Sequence, residues 1–286
     1  MSVPLANWNG ELLPLDQVRV PVLDRSFLFG DAVYEMLRVY DGQPFLLAEH
    51  LERLRYSLSE LRIRTDVDRL TRRMHETLQL SRVTDGVVYL HISRGVAPQR
   101  THKFPVPPPT PNELIYVASL PRDAKVELAS TGARVVTFDD VRWRRCDIKS
   151  ANLLGNILAA QAAEEAECDE AILIDAEDVV TEGAHTSVFG VRGGRILTAP
   201  LAANVLPGIT RKLVVRLATS CAIPLVEESL KRDAIWDLDE LFITGTTTEV
   251  MPVVQVNGRT IGDGRPGPVT LRLRQAYLQF ITDGRG

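Results

Sequence analysis

The segment DIKSANLLGN, residues 147–156, places a lysine directly before the most helix-prone stretch of the chain. The chain has 33 lysine and arginine residues together, of which five are lysines: Lys103, Lys125, Lys149, Lys212 and Lys231. A lysine amine, unlike a guanidinium, can lose its proton, attack a carbonyl group and form a Schiff base. Lys149 is therefore a candidate nucleophile, although most lysines are solvated surface residues, and the segment alone leaves both interpretations open.

The residues around this segment predict a mixed α and β chain. Downstream, SANLLGNILAAQAAEEAE at 150–167 is rich in Ala, Leu and Glu, which predicts a helix with Ser150 as its N-cap. Upstream, WNGELLPLDQVRV at 8–20 indicates two strands joined by an Asn-Gly turn. Leucines at helical spacing predict a helix from Ala48 to Leu61, and ITRKLVVRLATSCA at 209–222 predicts another. The order of elements shows no regular βαβ alternation.

Length and composition indicate two domains. The chain has 286 residues, of which 45% are hydrophobic, enough for a large buried core. A proline-dense stretch at 105–111 and the polar segment PRDAK at 121–125 interrupt the pattern near the middle. We therefore expect an N-terminal domain over residues 1–120, a linker at 121–125 and a C-terminal domain over 126–286.

Charge and cysteine usage exclude several classes of protein. The net charge of −4 and a pI of about 5.8 do not suit a nucleic-acid-binding protein, which needs a clustered basic excess. Cys146, Cys168 and Cys221 are widely spaced and form no metal-binding motif with the histidines, so we expect no metal site. The N-terminal residues lack the features of a signal peptide, and no apolar run approaches the length of a membrane span. These observations predict a cytoplasmic protein.

Five motifs, in this order, carry a resemblance to a known family. They are DIKSANLLGN (147–156), VVTEGAHTSVFG (179–190), LPGITR (206–211), DELFITGTTTEVMPV (239–253) and DGRPGPVT (263–270). The chain resembles the fold-type IV pyridoxal-phosphate aminotransferases from about Asp24 to Tyr277. This resemblance implies a small α/β domain, a larger domain with a β-barrel-like sheet, and pyridoxal 5'-phosphate between the domains. It also implies an obligate homodimer with its active site at the subunit interface, where the loop of residues 92–105 reaches into the active site of the other subunit.

The resemblance assigns three catalytic positions. Lys149 matches the lysine that holds the cofactor as an internal aldimine and later moves the substrate proton. Glu182 matches the carboxylate that keeps the pyridine nitrogen protonated, which makes the ring a better electron sink. Tyr34 matches a tyrosine near the reacting face. Taken alone, Glu182 would be a solvated turn residue and Tyr34 a core tyrosine.

The same resemblance assigns a cofactor-binding set. Arg53 matches the family's phosphate-binding arginine, which in isolation would be an exposed helix residue. Ile209 and Thr210 open a predicted helix, where free N–H groups and the helix dipole attract an anion. Gly245 and Thr246 match a second phosphate-binding loop, in which a member of the family has a serine at the position of Gly245. Leu206 is expected to pack near the cofactor ring, or in the core.

The stretch ISRGVAPQRTHKFP, residues 92–105, indicates the substrate. Arg100 and His102 match an Arg-x-His pair of the D-amino-acid aminotransferases, where a guanidinium holds the substrate carboxylate and a histidine adds a donor. Without that context both would be residues of a solvated loop. Thr247 is expected on the carboxylate side. His185 and Ser187 depart from the small hydroxyl residues and asparagine that the family often has after its glutamate.

The expected reaction is transamination of D-amino acids such as D-alanine or D-glutamate with 2-oxo acids, by a ping-pong mechanism. Transamination of branched-chain L-amino acids is the alternative, and aminodeoxychorismate lyase activity is the third. A binding protein without catalytic activity is also conceivable for this fold. The joint presence of Lys149, Glu182, Arg53 and Thr210 argues against it.

Overall fold

The structure, a computed structural model, describes residues 3–284. These residues form two compact units. Unit 1 runs to Arg122 and also includes Ile148–Asn152, whereas unit 2 consists of Asp123–Asp147 and the chain from Leu153 onward. The short segment that carries Lys149 therefore belongs to unit 1, although the residues on both sides of it belong to unit 2.

Unit 1 is a six-stranded antiparallel sheet with the strand order β2-β1-β6-β5-β3-β4. Its strands are β1 (Leu5–Trp8), β2 (Glu11–Pro14), β3 (Ala32–Tyr40), β4 (Gln43–Pro44), β5 (Gly86–Ser93) and β6 (Glu113–Ser119). Its helices are α1 (Arg25–Phe29), α2 (Leu47–Glu60) and α3 (Val67–Ser81), and a 3-10 turn covers Leu15–Gln17. The predicted helix from Ala48 to Leu61 is confirmed as α2.

The hairpin predicted from the Asn-Gly pair is confirmed. Trp8 pairs with Glu11, and the two turn residues have φ angles of 55° at Asn9 and 101° at Gly10. Two successive positive φ angles match the right-handed twist of the flanking strands, and asparagine and glycine adopt them most readily. Local chemistry is therefore sufficient to set the first strand pairing.

The core of unit 1 lies between one face of the sheet and the two longer helices. Alternate residues of β3, including Val33 and Leu37, pack with Leu54 of α2 and Met74 of α3, and all four are fully buried. The leucine spacing that predicted the helix is the spacing that turns one side of α2 to the sheet. Ile148 joins the same core, so the lysine segment is attached to unit 1 by its apolar neighbour.

Unit 2 is built on a larger sheet with the main strand order β12-β11-β10-β14-β15-β7-β8-β9-β13, to which β16 is added at β15. The strands are β7 (Ala133–Asp139), β8 (Glu170–Ile174), β9 (Val179–Gly183), β10 (Ser187–Arg192), β11 (Arg195–Thr198), β12 (Leu225–Glu227), β13 (Leu230–Lys231), β14 (Glu240–Gly245), β15 (Glu249–Val256) and β16 (Arg259–Thr260). Parallel pairs join β7 to β8, β7 to β15 and β11 to β12, and the other neighbours are antiparallel.

The helices of unit 2 are α4 (Val126–Thr131), α5 (Leu154–Glu165), α6 (Ile209–Ser220) and α7 (Pro268–Thr282), and a 3-10 turn covers Asp233–Asp237. The helix predicted at 209–222 is confirmed as α6. No helix among residues 3–284 combines the length and the apolar content that crossing a lipid bilayer requires.

The predicted start of α5 was wrong. The helix begins at Leu154, its N-cap position is Leu153, and no side chain caps it. Ser150 instead forms a β-bridge with Val33, and its N–H donates to the carbonyl of Ile148. Strand pairing occupies the backbone at this position, so the helix starts later than the local sequence favours.

A buried ionic cluster lies beneath the sheet of unit 1. Glu35 is fully buried, and it accepts from Arg53 Nε at 2.7 Å and Arg53 Nη2 at 2.9 Å. His50 Nδ1 lies 2.7 Å from the same carboxylate. Burial opposes ionisation of Glu35, but Arg53 and His50 together hold its pKa well below its usual range. The carboxylate of Glu35 stays charged because Arg53 donates to both of its oxygens and His50 adds a third contact.

Glu35→Gln should destabilise unit 1 by about 3–5 kcal/mol near neutral pH, because it leaves buried positive charge unpaired. The pKa of Glu35 is lowered in the folded state, so its contribution is present above the unfolded value of about 4.3 and is lost as the pH falls below it. The variant should therefore lose less stability than the wild type on acidification. Urea unfolding followed at several pH values measures both effects.

Glu113→Gln is the matched control for this substitution. Glu113 is also a buried strand glutamate, but its partners Arg69 and Arg73 have side chains that are 45% and 26% exposed. Those arginines can turn to water when the carboxylate is lost, so the cost should be smaller, on the order of 1 kcal/mol. Equal costs for the two variants would contradict the assignment of Glu35 as the buried counter-charge.

Candidate functional site

Backbone hydrogen bonds fix Lys149 beside strand β3. Ser150 pairs with Val33 in an antiparallel bridge. The N–H of Tyr34 donates to the carbonyl of Lys149 at 3.0 Å, and the N–H of Ala151 donates to the carbonyl of Ala32 at 2.9 Å. The segment thus acts as a short extra strand, which places Lys149 next to Tyr34.

The amine of Lys149 is held by a neutral partner. Its Nζ donates to Tyr34 Oη at 3.2 Å and lies 4.3 Å from the centroid of the Tyr34 ring. Its backbone N–H donates to Ser57 Oγ at 3.1 Å. Among residues 3–284, no carboxylate lies within ion-pair distance of this amine. The two catalytic residues that the sequence predicted in unit 1 are therefore in contact, and the amine is available for covalent chemistry.

A row of aromatic rings extends from Tyr34 across the sheet. Tyr89 stacks on Tyr34 with 5.7 Å between the ring centroids, and Tyr116 stacks on Tyr89 at 5.0 Å. Burial and the neighbouring Tyr34 raise the pKa of Tyr89, so its hydroxyl keeps its proton at neutral pH. Tyr89 was not predicted as a site residue from the sequence. The alternating pattern of β5 could have indicated it. Tyr89 and His91 are two residues apart and lie on the same face of the sheet, and His91 is the residue paired with Tyr34.

Arg53 is buried, in contrast to the exposed helix arginine that its position alone suggests. Its guanidinium is held by Glu35, and His50 shares that carboxylate. Burial lowers the pKa of His50, which favours the neutral imidazole. The structure thus shows a fixed arginine, and its role toward a phosphate remains a prediction. Glu35 and His50 were not singled out from the sequence, because nothing in LAEHLERL marks a shared carboxylate partner.

The loop after β5 brings Arg100 and His102 to one aromatic ring. The Arg100 guanidinium carbon lies 4.9 Å from the centroid of Phe29, and the His102 ring centroid lies 5.4 Å from it. Both residues are exposed and lie outside regular secondary structure. The two residues predicted to bind a carboxylate therefore lie against the same residue of α1.

Glu182 is the centre of a second cluster, in unit 2. It lies in β9 and is buried, Arg142 Nη1 donates to its Oε1, and the N–H of Leu206 donates to its Oε2 at 3.1 Å. Burial raises the pKa of Glu182, although Arg142 and the Leu206 N–H oppose the rise. Leu206, predicted to pack near a cofactor ring, is thus brought next to Glu182. A further cationic group next to Glu182 would favour the charged form of its carboxylate.

Arg142 was also missed by the sequence analysis. Its Nε and Nη2 donate to Asp140 at 2.9 Å and 2.7 Å, and Thr181 Oγ1 donates to the same carboxylate at 2.9 Å. The fork of Arg142 therefore links Asp140 to Glu182. The local sequence RWRR contains three arginines, and only the fold selects this one.

Helix α6 presents its N-terminus without a side-chain cap. Its N-cap residue is Gly208, which has no side chain that could accept a hydrogen bond from the first turn. Ile209 and Thr210 in that turn are buried. An uncapped terminus leaves N–H groups for an anion. A Cβ atom on Gly208 would lie 2.7 Å from Ser187 Oγ, so Ser187 lies against this terminus. His185 is 60% exposed at its side chain, with Nδ1 3.1 Å from Glu170 Oε2.

Gly245 ends β14, and Thr246 and Thr247 lie in the turn between β14 and β15; all three are half-buried. The preceding Thr244 has a buried Oγ1 with no hydrogen-bond partner among residues 3–284. A polar atom left this way is unfavourable unless a further group pairs with it. The hydroxyl of Thr244, near the end of β14 next to the threonine-rich turn, is therefore a group that the described residues do not satisfy.

Comparison with known proteins places the chain among the aminotransferases. The family model described as "Amino-transferase class IV" matches residues 32–256. The D-alanine aminotransferase of Staphylococcus haemolyticus is 38% identical over 275 residues, which is 96% of each chain. The D-alanine aminotransferase of Bacillus licheniformis is 38% identical over 276 residues, again 96% of each chain.

Among solved structures, a branched-chain amino acid aminotransferase of T.th. is similar at a TM-score of 0.92 and 30% identity, over 100% of this chain and 96% of the other. That structure contains pyridoxamine 5'-phosphate. The residues of this chain fit such a group, since they provide an amine without a carboxylate partner, a buried carboxylate and an uncapped helix N-terminus.

The fold expected from the five motifs is confirmed: a mixed α/β architecture with a small antiparallel sheet and a larger half-barrel sheet. The match to the family model covers most of the chain, and the similarity to the two D-alanine aminotransferases covers nearly all of it. The chain belongs to the class IV aminotransferase family.

Proposed function

We propose that this chain transfers the amino group of D-amino acids, such as D-alanine or D-glutamate, to 2-oxo acids with pyridoxal 5'-phosphate as cofactor. The observation that carries the proposal is the amine of Lys149, which is 3.2 Å from Tyr34 Oη and has no carboxylate partner among the described residues. The 38% identity to D-alanine aminotransferases over 96% of the chain supports the choice of substrate.

The residues assigned to the cofactor each suit one part of it. Lys149 would hold its aldehyde carbon covalently, and Glu182 would pair with the pyridine nitrogen. The phosphate contacts are assigned to Arg53, to the first turn of α6 at Ile209 and Thr210, and to Gly245 and Thr246. Leu206 would pack near the ring. When bound, the cofactor supplies an electron sink for the negative charge that develops at the substrate α-carbon.

The side chains of this protein then have defined tasks. With the cofactor bound, Lys149 Nζ would carry the proton from the substrate α-carbon to the carbon of the cofactor that bears the amino group. Tyr34 Oη, its hydrogen-bond partner, directs the amine toward that proton. Glu182 bears the negative charge that favours a protonated pyridine nitrogen, and Arg142 offsets part of the burial that works against this charge.

The substrate carboxylate is assigned to the loop after β5. Arg100 supplies two parallel hydrogen bonds to the carboxylate, and His102 supplies a third donor. Thr247 contributes a hydroxyl on the same side. The common contact of Arg100 and His102 with the Phe29 ring supports a joint role, because it holds two donors of one loop at one place.

Transamination of branched-chain L-amino acids is the second candidate. The observation in its favour is the TM-score of 0.92 with a branched-chain aminotransferase, at 30% identity. Backbone similarity of this kind reports the shared fold. The handedness of the substrate depends instead on the few residues that bind its carboxylate. Arg100 and His102 favour the D-amino acid.

We further propose a homodimer and a cytoplasmic location. Leu154, Ile157 and Leu158 on α5 are 77%, 58% and 56% exposed, and an apolar helix face of this kind is often covered by a partner. A second copy of the chain is the partner implied by the family resemblance. The free thiols Cys146, Cys168 and Cys221 suit a reducing compartment.

A half-reaction tests the proposed substrate. The purified, cofactor-loaded enzyme is mixed with D-alanine or with L-leucine and no 2-oxo acid, and the visible absorbance of the lysine-bound cofactor is followed. We expect D-alanine to bleach this absorbance and L-leucine to leave it unchanged. Lys149→Arg keeps the positive charge but cannot form the covalent bond, so this variant should lack both the band and turnover. Bleaching by L-leucine alone would assign the branched-chain reaction instead.

Arg100→Ala tests the carboxylate contact. The loss of a charge-assisted hydrogen-bond pair should raise KM for D-alanine by roughly 10–100-fold and leave the cofactor absorbance unchanged. Arg100→Lys should give an intermediate KM, because it keeps the charge but loses the planar fork. Steady-state kinetics with D-alanine as the varied substrate measure both variants. A KM equal to that of the wild type in Arg100→Ala would refute this role.

Leu154→Glu tests the dimer. A charge on the exposed apolar face of α5 should weaken association, so sedimentation velocity should show more monomer at micromolar concentration than for the wild type. Leu80→Glu is the control, since Leu80 on α3 is 54% exposed and should leave association unchanged. A wild-type protein that sediments as a monomer at all concentrations would contradict the proposal.

A further inference from the structure

The loop that carries Arg100 and His102 has little structure of its own. Between β5 and β6 the backbone forms no regular element, and Pro98, Gln99, Arg100, Thr101 and His102 are exposed. Loops of this kind move unless other parts of the protein hold them. A guanidinium that must meet a substrate carboxylate with two parallel bonds needs a fixed backbone beneath it.

A buried arginine on α1 holds the backbone of this loop. Arg25 is 3% exposed. Its Nη1 donates to the carbonyl of Thr101 at 2.6 Å, and its Nη2 donates to the carbonyl of His102 at 3.4 Å. These carbonyls directly follow Arg100 in the chain. The third contact, from Nε to Asp31 at 2.7 Å, fixes the plane of the guanidinium.

The rest of α1 adds to this attachment. Asp24, its N-cap, pairs with Val96 in an isolated β-bridge, and the N–H of Arg25 donates to the carbonyl of Gly95 at 3.0 Å. Phe29, one turn after Arg25, contacts both Arg100 and His102. Helix α1 and its N-cap therefore contact the start of the loop, at Gly95 and Val96, through backbone hydrogen bonds. They contact residues 100–102 through the side chains of Arg25 and Phe29.

Asp31 is itself fixed from a second side. Arg94 donates to it twice, from Nε at 2.8 Å and from Nη2 at 2.9 Å, and its Nη2 also donates to the carbonyl of Leu61 at 2.6 Å. Asp31 is therefore shared by two buried arginines, one of which points to the α2–α3 connection and the other to the loop. Such an arrangement transmits the rigidity of the core to the loop.

We propose that Arg25 is a positioning residue for substrate binding: it fixes the carbonyls of Thr101 and His102 and thereby sets the places of the Arg100 and His102 side chains. This inference rests on the proposed function, because it assigns the substrate carboxylate to that loop. Arg25 does not itself contact the substrate. Its loss should weaken binding of every amino acid and 2-oxo acid through their common carboxylate.

Arg25→Lys is the test variant, since a lysine keeps the charge next to Asp31 but cannot bond Asp31 and two carbonyls in one plane. KM for D-alanine should rise roughly tenfold, equivalent to about 1.4 kcal/mol, with kcat and the absorbance of the bound cofactor little changed. Amide hydrogen exchange in peptides covering residues 96–104 should become faster than in the wild type.

Arg38→Lys is the matched control. Arg38 is equally buried at 3% exposure, and it donates to the backbone carbonyls of Gly86, Leu120 and Pro121 at another place in unit 1. It should lower stability as Arg25→Lys does, but KM and loop exchange should stay at their wild-type values. Phe29→Leu is a second test variant that leaves the buried ion pairs intact, and it should also raise KM.

A double-mutant cycle separates positioning from general damage. If Arg25 acts through the loop, Arg25→Lys should raise KM by much less than tenfold in the Arg100→Ala background, where only His102 is left to be positioned. A full tenfold addition there, or unchanged loop exchange in Arg25→Lys, would overturn the inference. An unchanged KM in Arg100→Ala alone would count against the proposed function instead, and the exchange of the loop amides would still decide whether Arg25 anchors the loop.

Discussion

The interaction on which the candidate site depends is the short strand pairing between the lysine segment and β3. The Tyr34 N–H bond to the Lys149 carbonyl and the Ala151 N–H bond to the Ala32 carbonyl hold these residues in register. Side chains of paired residues project to the same face, so the register brings the Lys149 amine to the Tyr34 hydroxyl. A shift by one residue would turn the amine to the opposite face. The same pairing prevents Ser150 from capping α5.

Buried arginine–carboxylate clusters occur in each of the two units. Glu35 is held by Arg53, Asp31 by Arg25 and Arg94, and Asp140 with Glu182 by Arg142. A planar fork satisfies both oxygens of a carboxylate and carries its charge at any physiological pH, which a lysine inside a protein does not guarantee. Lysine is left for a different task at position 149. Its amine donates to the hydroxyl of Tyr34 and has no carboxylate partner among the described residues.

The similarities to D-alanine aminotransferases in sequence and to a branched-chain aminotransferase in structure report different things. A high TM-score measures the course of the backbone, and a family with one fold retains it whatever the handedness of the substrate. Handedness depends on where the substrate carboxylate is held relative to the amine that takes the proton. In this chain, Arg100 and His102 share the Phe29 ring, and Arg25 holds the backbone that carries them. Under the proposed function, the distinction lies in this loop and in the arginine that holds it.

Sequence by itself determined the family, the fold class and the identity of the main candidate residues. The Asn-Gly turn set the first hairpin and the leucine spacing set α2, because turn chemistry and helical periodicity are local properties of a chain. Five ordered motifs marked Lys149, Glu182 and the start of α6, because motifs and their order can be read directly from the sequence. Only the tertiary structure decided the partners. Arg53 lies buried against Glu35, Arg142 was selected from three neighbouring arginines, and Arg25 reaches a loop 76 residues away. Such contacts join positions distant in the chain, and they exist only after the sheets have fixed where each side chain lies.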